Sequence, residues 1–113
     1  MPDTPTSTYA RADEIEWVES KPGIFSKPLY EDRTRGESTV LARLAPGARS
    51  APHAHDAFEQ IHVLEGCFHD GTRELKPGDH CCRAAGVMHE AYSEHGALVL
   101  VIYTPAKAKR ENE

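Results

Sequence analysis

GARSAPHAHDAFEQIHVLEG, residues 47–66, carries two histidines and a glutamate between two glycines, and the reading of the chain turns on it. Side chains alternate faces along an extended strand, so His53 and His55 project to the same side. Glu59 shares their parity and reaches that face if the strand continues or bends slightly. Two imidazoles and a carboxylate converging from one stretch supply most of a metal site, because imidazole and carboxylate are ligands for borderline divalent ions. His89, which follows Gly86 and opens the strand-like run HEAYSE, is the candidate fourth ligand.

Outward from this stretch the text is strand and turn. Val40, Ala42 and Leu44 alternate with their neighbours before the Pro46-Gly47 turn. Ile61 to Leu64 is an apolar run that stops at Glu65-Gly66, and LVLVIY at 98–103 is rich in β-branched and aromatic residues. Pro22-Gly23, Gly66, Gly71, Pro77-Gly78, Gly86 and Gly96 punctuate the chain at the short intervals of a sandwich or barrel. Only residues 11–19 offer a short helical candidate, so the expectation is an all-β fold. Residues 1–12 read as a flexible arm, 13–105 as a single domain and 106–113 as a polar tail. The segment 24–30, which contains Pro28, is expected at a sheet edge.

The spacing resembles the cupin superfamily. Its first motif, Gly, five residues, His-x-His, three or four residues, Glu, six residues, Gly, is met by Gly47, His53, His55, Glu59 and Gly66. In the second motif Gly78, Gly86 and His89 fit, while Ala84 replaces a Pro and Ser93 an Asn. The resemblance implies a small cupin jelly-roll β-barrel, also described as a double-stranded β-helix. It further implies His53, His55, Glu59 and His89 as ligands of one divalent metal ion per chain, Fe, Zn, Mn, Ni or Co. Within the superfamily the phrase HAHDAFEQIHVLEGCFHDG is similar to ChrR-type anti-sigma factor cupin domains and to acetylacetone-cleaving dioxygenases. No anti-sigma helices precede it here, so a sigma-factor partner is not expected. Single-domain cupins of this kind imply a homodimer.

All seven histidines fall between positions 53 and 95, but clustering overstates the site. His62 has the wrong parity and reads as a packing or interface residue, and His69, His80 and His95 adjoin turns and read as solvent-exposed. By the same parity Ile61 and Val63 continue the Glu59 face and Ala91 and Ser93 the His89 face, making these four the expected cavity wall. Phe58, Met88 and Tyr92 are assigned to the core and Trp17 to packing under the N-terminal arm. Cys67, Cys81 and Cys82 form no even framework and read as reduced and mostly buried, which favours a cytoplasmic protein.

The net charge of −5 and the absence of a basic stripe argue against nucleic acid, and no apolar run is long enough to span a membrane. Four protein ligands on an octahedral ion leave two positions for a small-molecule ligand. That points to a metal-dependent dioxygenase or isomerase using Lewis-acid or oxygenase chemistry on a small enolisable carbonyl or phenolic compound. Glu59 could also serve as a base. The alternative is a zinc-binding sensory or ligand-binding cupin without turnover, like the ChrR-type domain.

Overall fold

Apolar residues at every second position need a common interior, and the chain provides one by stacking two β layers. The computed structural model describes residues 4–106. After a 3-10 turn at Ala12–Glu14, eight strands follow: β1 (Val18–Lys21), β2 (Ile24–Asp32), β3 (Glu37–Leu44), β4 (Phe58–Gly66), β5 (Phe68–His69), β6 (Glu74–Leu75), β7 (His80–Arg83) and β8 (Ala97–Thr104). Six of them form one sheet in the order β1-β2-β3-β8-β4-β7, and every pairing in it is antiparallel. The C-terminal strand β8 therefore sits at its centre, between β3 and β4.

The second layer is shorter and more irregular. Here β5 pairs with β6, and β5 also bridges to Tyr92 through His69. The stretch containing Tyr92 continues outward to the 47–53 segment: Gly47 N–H donates to Ser93 O at 2.7 Å and Ser50 N–H to Ala91 O at 2.8 Å. His53 and His89 then exchange backbone hydrogen bonds of 2.8 and 2.9 Å.

The two periodicities meet in the core. Glu59, Ile61 and Val63 of β4 and Ala97, Val99 and Val101 of β8 are buried, while their neighbours are more exposed. Val63 and Val99 are 1% exposed; burying each such side chain contributes about 1.5–3 kcal/mol. Gly66, the last glycine of the motif, has φ 75°, and a Cβ there would lie 2.1 Å from Gly96 O. Only glycine fits that crossing of β4 toward β5.

The all-β expectation holds, but three local readings do not hold in full. Residues 11–19 form only the 3-10 turn and the start of β1. The 24–30 segment is an edge only in part: β1 covers Ile24–Ser26, residues 27–30 have β3 alone beside them, and the outermost strands of the sheet are β1 and β7. Pro28 sits beyond the stretch that β1 covers, where its missing N–H costs nothing. Met88 is 63% exposed and is not a core residue. Trp17 is half-buried and packs under two cations, with Lys27 Nζ 4.7 Å and Arg43 Cζ 5.3 Å from its ring. Residues 4–11 carry no regular structure, and the tail from 107 lies outside the described residues. No helix among the described residues is long and apolar enough to cross a membrane.

Candidate metal centre

Directly opposed residues of an antiparallel hydrogen-bonded pair project to the same face. The His53–His89 bridge therefore brings together two imidazoles that are 36 positions apart in sequence. His55, two residues past His53, joins them, and one ring nitrogen from each of the three falls within 4.8 Å of the others. The Nδ1–H of His53 donates to Ala51 O at 2.7 Å and that of His89 to Val87 O at 3.1 Å. Those bonds fix the tautomer and leave each Nε2 with a lone pair, the arrangement a ligating histidine requires.

The rings pass a simple geometric test. One ion about 2.0–2.1 Å from three imidazole nitrogens places ring centres about 4.5 Å apart at right angles and about 5.2 Å apart at tetrahedral angles. The observed separations are 4.8, 4.4 and 5.0 Å. Burial lowers the pKa of His55, opposed by Glu59 and reinforced by His89, His53 and Lys21. Burial also lowers that of His89, against the Val87 hydrogen bond and Glu59 and with Arg83 and His53. Both rings are thus held neutral and able to donate a lone pair.

Glu59 lies beneath this triad, 3% exposed, with Oε2 3.5 Å from His55 Nε2 and Oε1 3.6 Å from His89 Nε2. Its strand register explains the rest of its surroundings. The Cα pairing sets Glu59 against Tyr103 of β8 on one side and Arg83 of β7 on the other. Arg83 Nε donates to Glu59 Oε1 at 3.1 Å and its Nη1 to Asp70 Oδ2 at 3.2 Å, so one guanidinium joins two buried carboxylates. The remaining Nη2 is buried without a hydrogen-bond partner among the described residues.

Asp70 also accepts the backbone N–H groups of Thr72 and Arg73, each at 2.9 Å. Burial works to raise its pKa, but those two donors and Arg83 outweigh burial and leave it below the ordinary carboxylate value. The Tyr103 phenol, 3.5 Å from His55 Nε2, is held protonated far above its ordinary value by burial and by the Glu59 charge.

The triad opens into a cavity of about 240 Å³ between the two layers. Ile24, Leu44, Ile61, Val99 and Val101 line it, with Glu59, Tyr103, Ser50, Ala91 and Lys21 among its other walls. Of the four expected wall residues, Ile61 and Ala91 are present, and Val63 and Ser93 are not. Val63 faces inward but is packed in the core beyond the cavity floor. Ser93 is consumed by a turn: its Oγ donates to Cys67 O at 2.6 Å and accepts from Gly96 N–H at 2.9 Å.

The remaining histidines lie outside the cavity. His62 faces the outer side of the sheet, its Nδ1 3.1 Å from His80 Nδ1, and His80 Nε2 is 3.0 Å from Gln60 Oε1. His95 is exposed beside Glu94, whereas His69 is half-buried and accepts the Gly71 N–H at 3.0 Å. All three cysteines are free thiols, Cys67 and Cys81 half-buried and Cys82 exposed.

Arg83, Tyr103 and Lys21 were not foreseen as site residues. Tyr103 shares parity with Val99 and Val101, a signal that becomes usable once the inner face of β8 is known. Arg83 and Lys21 carry no comparable local signal.

Similarity to known proteins agrees with this architecture. KdgF from Halomonas sp. superposes with a TM-score of 0.78 at 27% identity, covering 95% of this chain and 98% of that one. A putative acetylacetone dioxygenase from Methylibium petroleiphilum gives 0.83 at 14% identity over 99% and 87% of the two chains. The structure of Rhodobacter sphaeroides SigE in complex with the anti-sigma ChrR gives 0.72 at 21%, covering 82% of this chain and 51% of that one. No curated protein matches significantly in sequence. These neighbours show the cupin jelly-roll. The ChrR cupin-like domain profile matches residues 5–107, nearly the whole length and with it every member of the histidine constellation, and the chain therefore belongs to the ChrR cupin-like family.

Proposed function

We propose that the chain is a small metal-dependent cupin enzyme whose ion is held by His53, His55 and His89, with Glu59 as a fourth donor. The observation that carries this reading is an open apolar cavity beside three converging imidazoles. A purely structural site would need no adjoining space, whereas here the cavity leaves room for a ligand at the positions that four protein donors leave open on a six-coordinate ion. Three imidazoles and a carboxylate suit Fe, Zn, Mn, Ni or Co. Once bound, such an ion supplies Lewis acidity toward a carbonyl or phenolic oxygen.

The chain's own groups do the rest. Ile24, Ile61, Val99 and Val101 exclude water from the reacting atoms. Tyr103, kept protonated, offers its O–H to an oxygen that gains negative charge. Glu59 is oriented by Arg83 with Oε2 directed toward His55, where it serves either as donor or as a base for a proton alpha to a carbonyl. The substrate class is a small enolisable carbonyl or phenolic compound, since the cavity lies below the roughly 300–1,000 Å³ of drug-sized sites.

The second reading, a zinc-binding sensory domain without turnover, is favoured by the ChrR-type family match. Elemental analysis of protein purified without added metal, followed by oxygen uptake on a β-diketone panel, separates the two. About one equivalent of iron with uptake supports the enzyme, and tightly held zinc with no uptake supports the sensor. Protein that takes up no ion from metal-replete medium overturns both. A homodimer in the cytoplasm fits either reading and is checked by light scattering.

A further inference from the structure

The cavity's least expected wall is Lys21. It ends β1, and the register between β1 and β2 jumps just before it: Glu19 faces Phe25, Lys21 faces Ile24, and Ser20 is the extra residue. A bulge of this kind re-aims the side chain that follows it. Here it places Lys21, which is also exposed to solvent, on the wall of the cavity that also holds His53, His55 and His89. Lys21 makes no ion pair among the described residues. The nearby Glu19 is turned away, its carboxylate accepting the Gly23 N–H at 3.0 Å.

The charges of the site decide what this ammonium faces. Among the described residues Glu59 is the only acidic side chain lining the cavity, and it is held by Arg83, a guanidinium that it shares with Asp70 and that does not line the cavity. Lys21 is the one Lys or Arg side chain lining the cavity, and unlike Arg83 it is not already held by a carboxylate among the described residues.

We propose that Lys21 forms an anion subsite, and that the ligand of this cavity is a small oxo acid with its carboxylate at Lys21 and its carbonyl oxygen at the histidine end. This deepens the metal-site reading above and rests on it for the carbonyl end alone. The cavity volume of about 240 Å³ restricts the ligand to a short carbon chain.

The test compares acetoacetate with acetoacetamide, a pair of nearly equal shape that differs in the charged group. Binding to the full-length protein is measured by calorimetry after its metal content has been determined. Wild type is expected to favour acetoacetate by roughly tenfold, and raising the salt concentration should shrink that preference. Lys21→Met should abolish it by weakening acetoacetate alone, leaving acetoacetamide within about twofold, while Lys21→Arg should keep it.

Equal or undetectable binding of both ligands to wild type overturns the subsite, as does a preference that survives in Lys21→Met. If the protein holds no ion, the metal reading fails separately. The same comparison then runs on the metal-free protein, where the Lys21-dependent preference alone decides.

Discussion

Replacing Arg83 with Met tests the electrostatic account of the site most directly. The guanidinium joins Glu59 and Asp70, which are 3% and 6% exposed, through hydrogen bonds of 3.1 and 3.2 Å. Methionine fills comparable space but leaves two buried carboxylates without their cation. Removing one partner of a buried ion pair costs about 3–5 kcal/mol. One term works the other way, because the substitution also deletes Nη2, a buried N–H group with no partner among the described residues. The expected loss is therefore near the lower bound, about 3 kcal/mol.

An unfolding entropy of about 2.1 cal/mol/K per residue makes each kcal/mol worth about 4 °C for a chain of this length, so Tm should fall by about 12 °C. The loss must also depend on pH. The Asp70 pKa is depressed in the folded state, so its contribution is present above the ordinary carboxylate value and is lost as pH falls through the depressed one. Without Arg83 one cause of that depression disappears and the contribution shrinks. Urea unfolding should show the full gap between wild type and variant at about pH 7 and a gap that narrows as pH falls below about 4. Adding Glu59→Gln to the variant should recover at least about 1 kcal/mol, since it removes one of the orphaned charges. A Tm loss under about 4 °C, or a gap that does not change with pH, would refute this reading of Arg83.

Three further outcomes follow from the same geometry. If the triad holds an ion at about 100 times its Kd, removing it with a chelator should cost about 2.7 kcal/mol, or about 11 °C in Tm, and His53→Ala should show no such chelator effect. The raised Tyr103 pKa stabilises the fold below the ordinary phenol value of about 10, and that stability is lost as pH rises from there toward the folded value. Tyr103→Phe should accordingly unfold less steeply above about pH 10 in a spectroscopic pH titration. Gly66→Ala must accept φ 75° and a Cβ 2.1 Å from Gly96 O, so a loss of at least about 2 kcal/mol is expected by chemical denaturation.

What was legible in the residues follows from the range of each signal. Strand parity acts over two residues, and it correctly grouped His53 with His55 and set His62 on the opposite side. It also oriented Val63 inward, but parity says nothing of depth, and Val63 lies in the packed core beyond the cavity. Ser93 shows a different failure, because a hydroxyl beside a turn is drawn into the turn's own hydrogen bonds before it can line a cavity. The β1 edge escaped notice because VESK has no buried face and so no alternation to detect.

The partners of Glu59 mark the boundary of local reading. Arg83 and Tyr103 lie 24 and 44 positions from it and become its neighbours only because β7 and β8 flank β4 in the sheet. Strand order is a property of long-range pairing, and no short window of sequence encodes it. Ligand positions are legible early because the residue types that bind metal must recur at short spacing on one strand. The groups that set the charge of those ligands arrive from other strands, and they decide what the site can do. A variant at His53 therefore tests whether an ion binds, whereas variants at Arg83, Tyr103 and Lys21 test which chemistry the cavity permits.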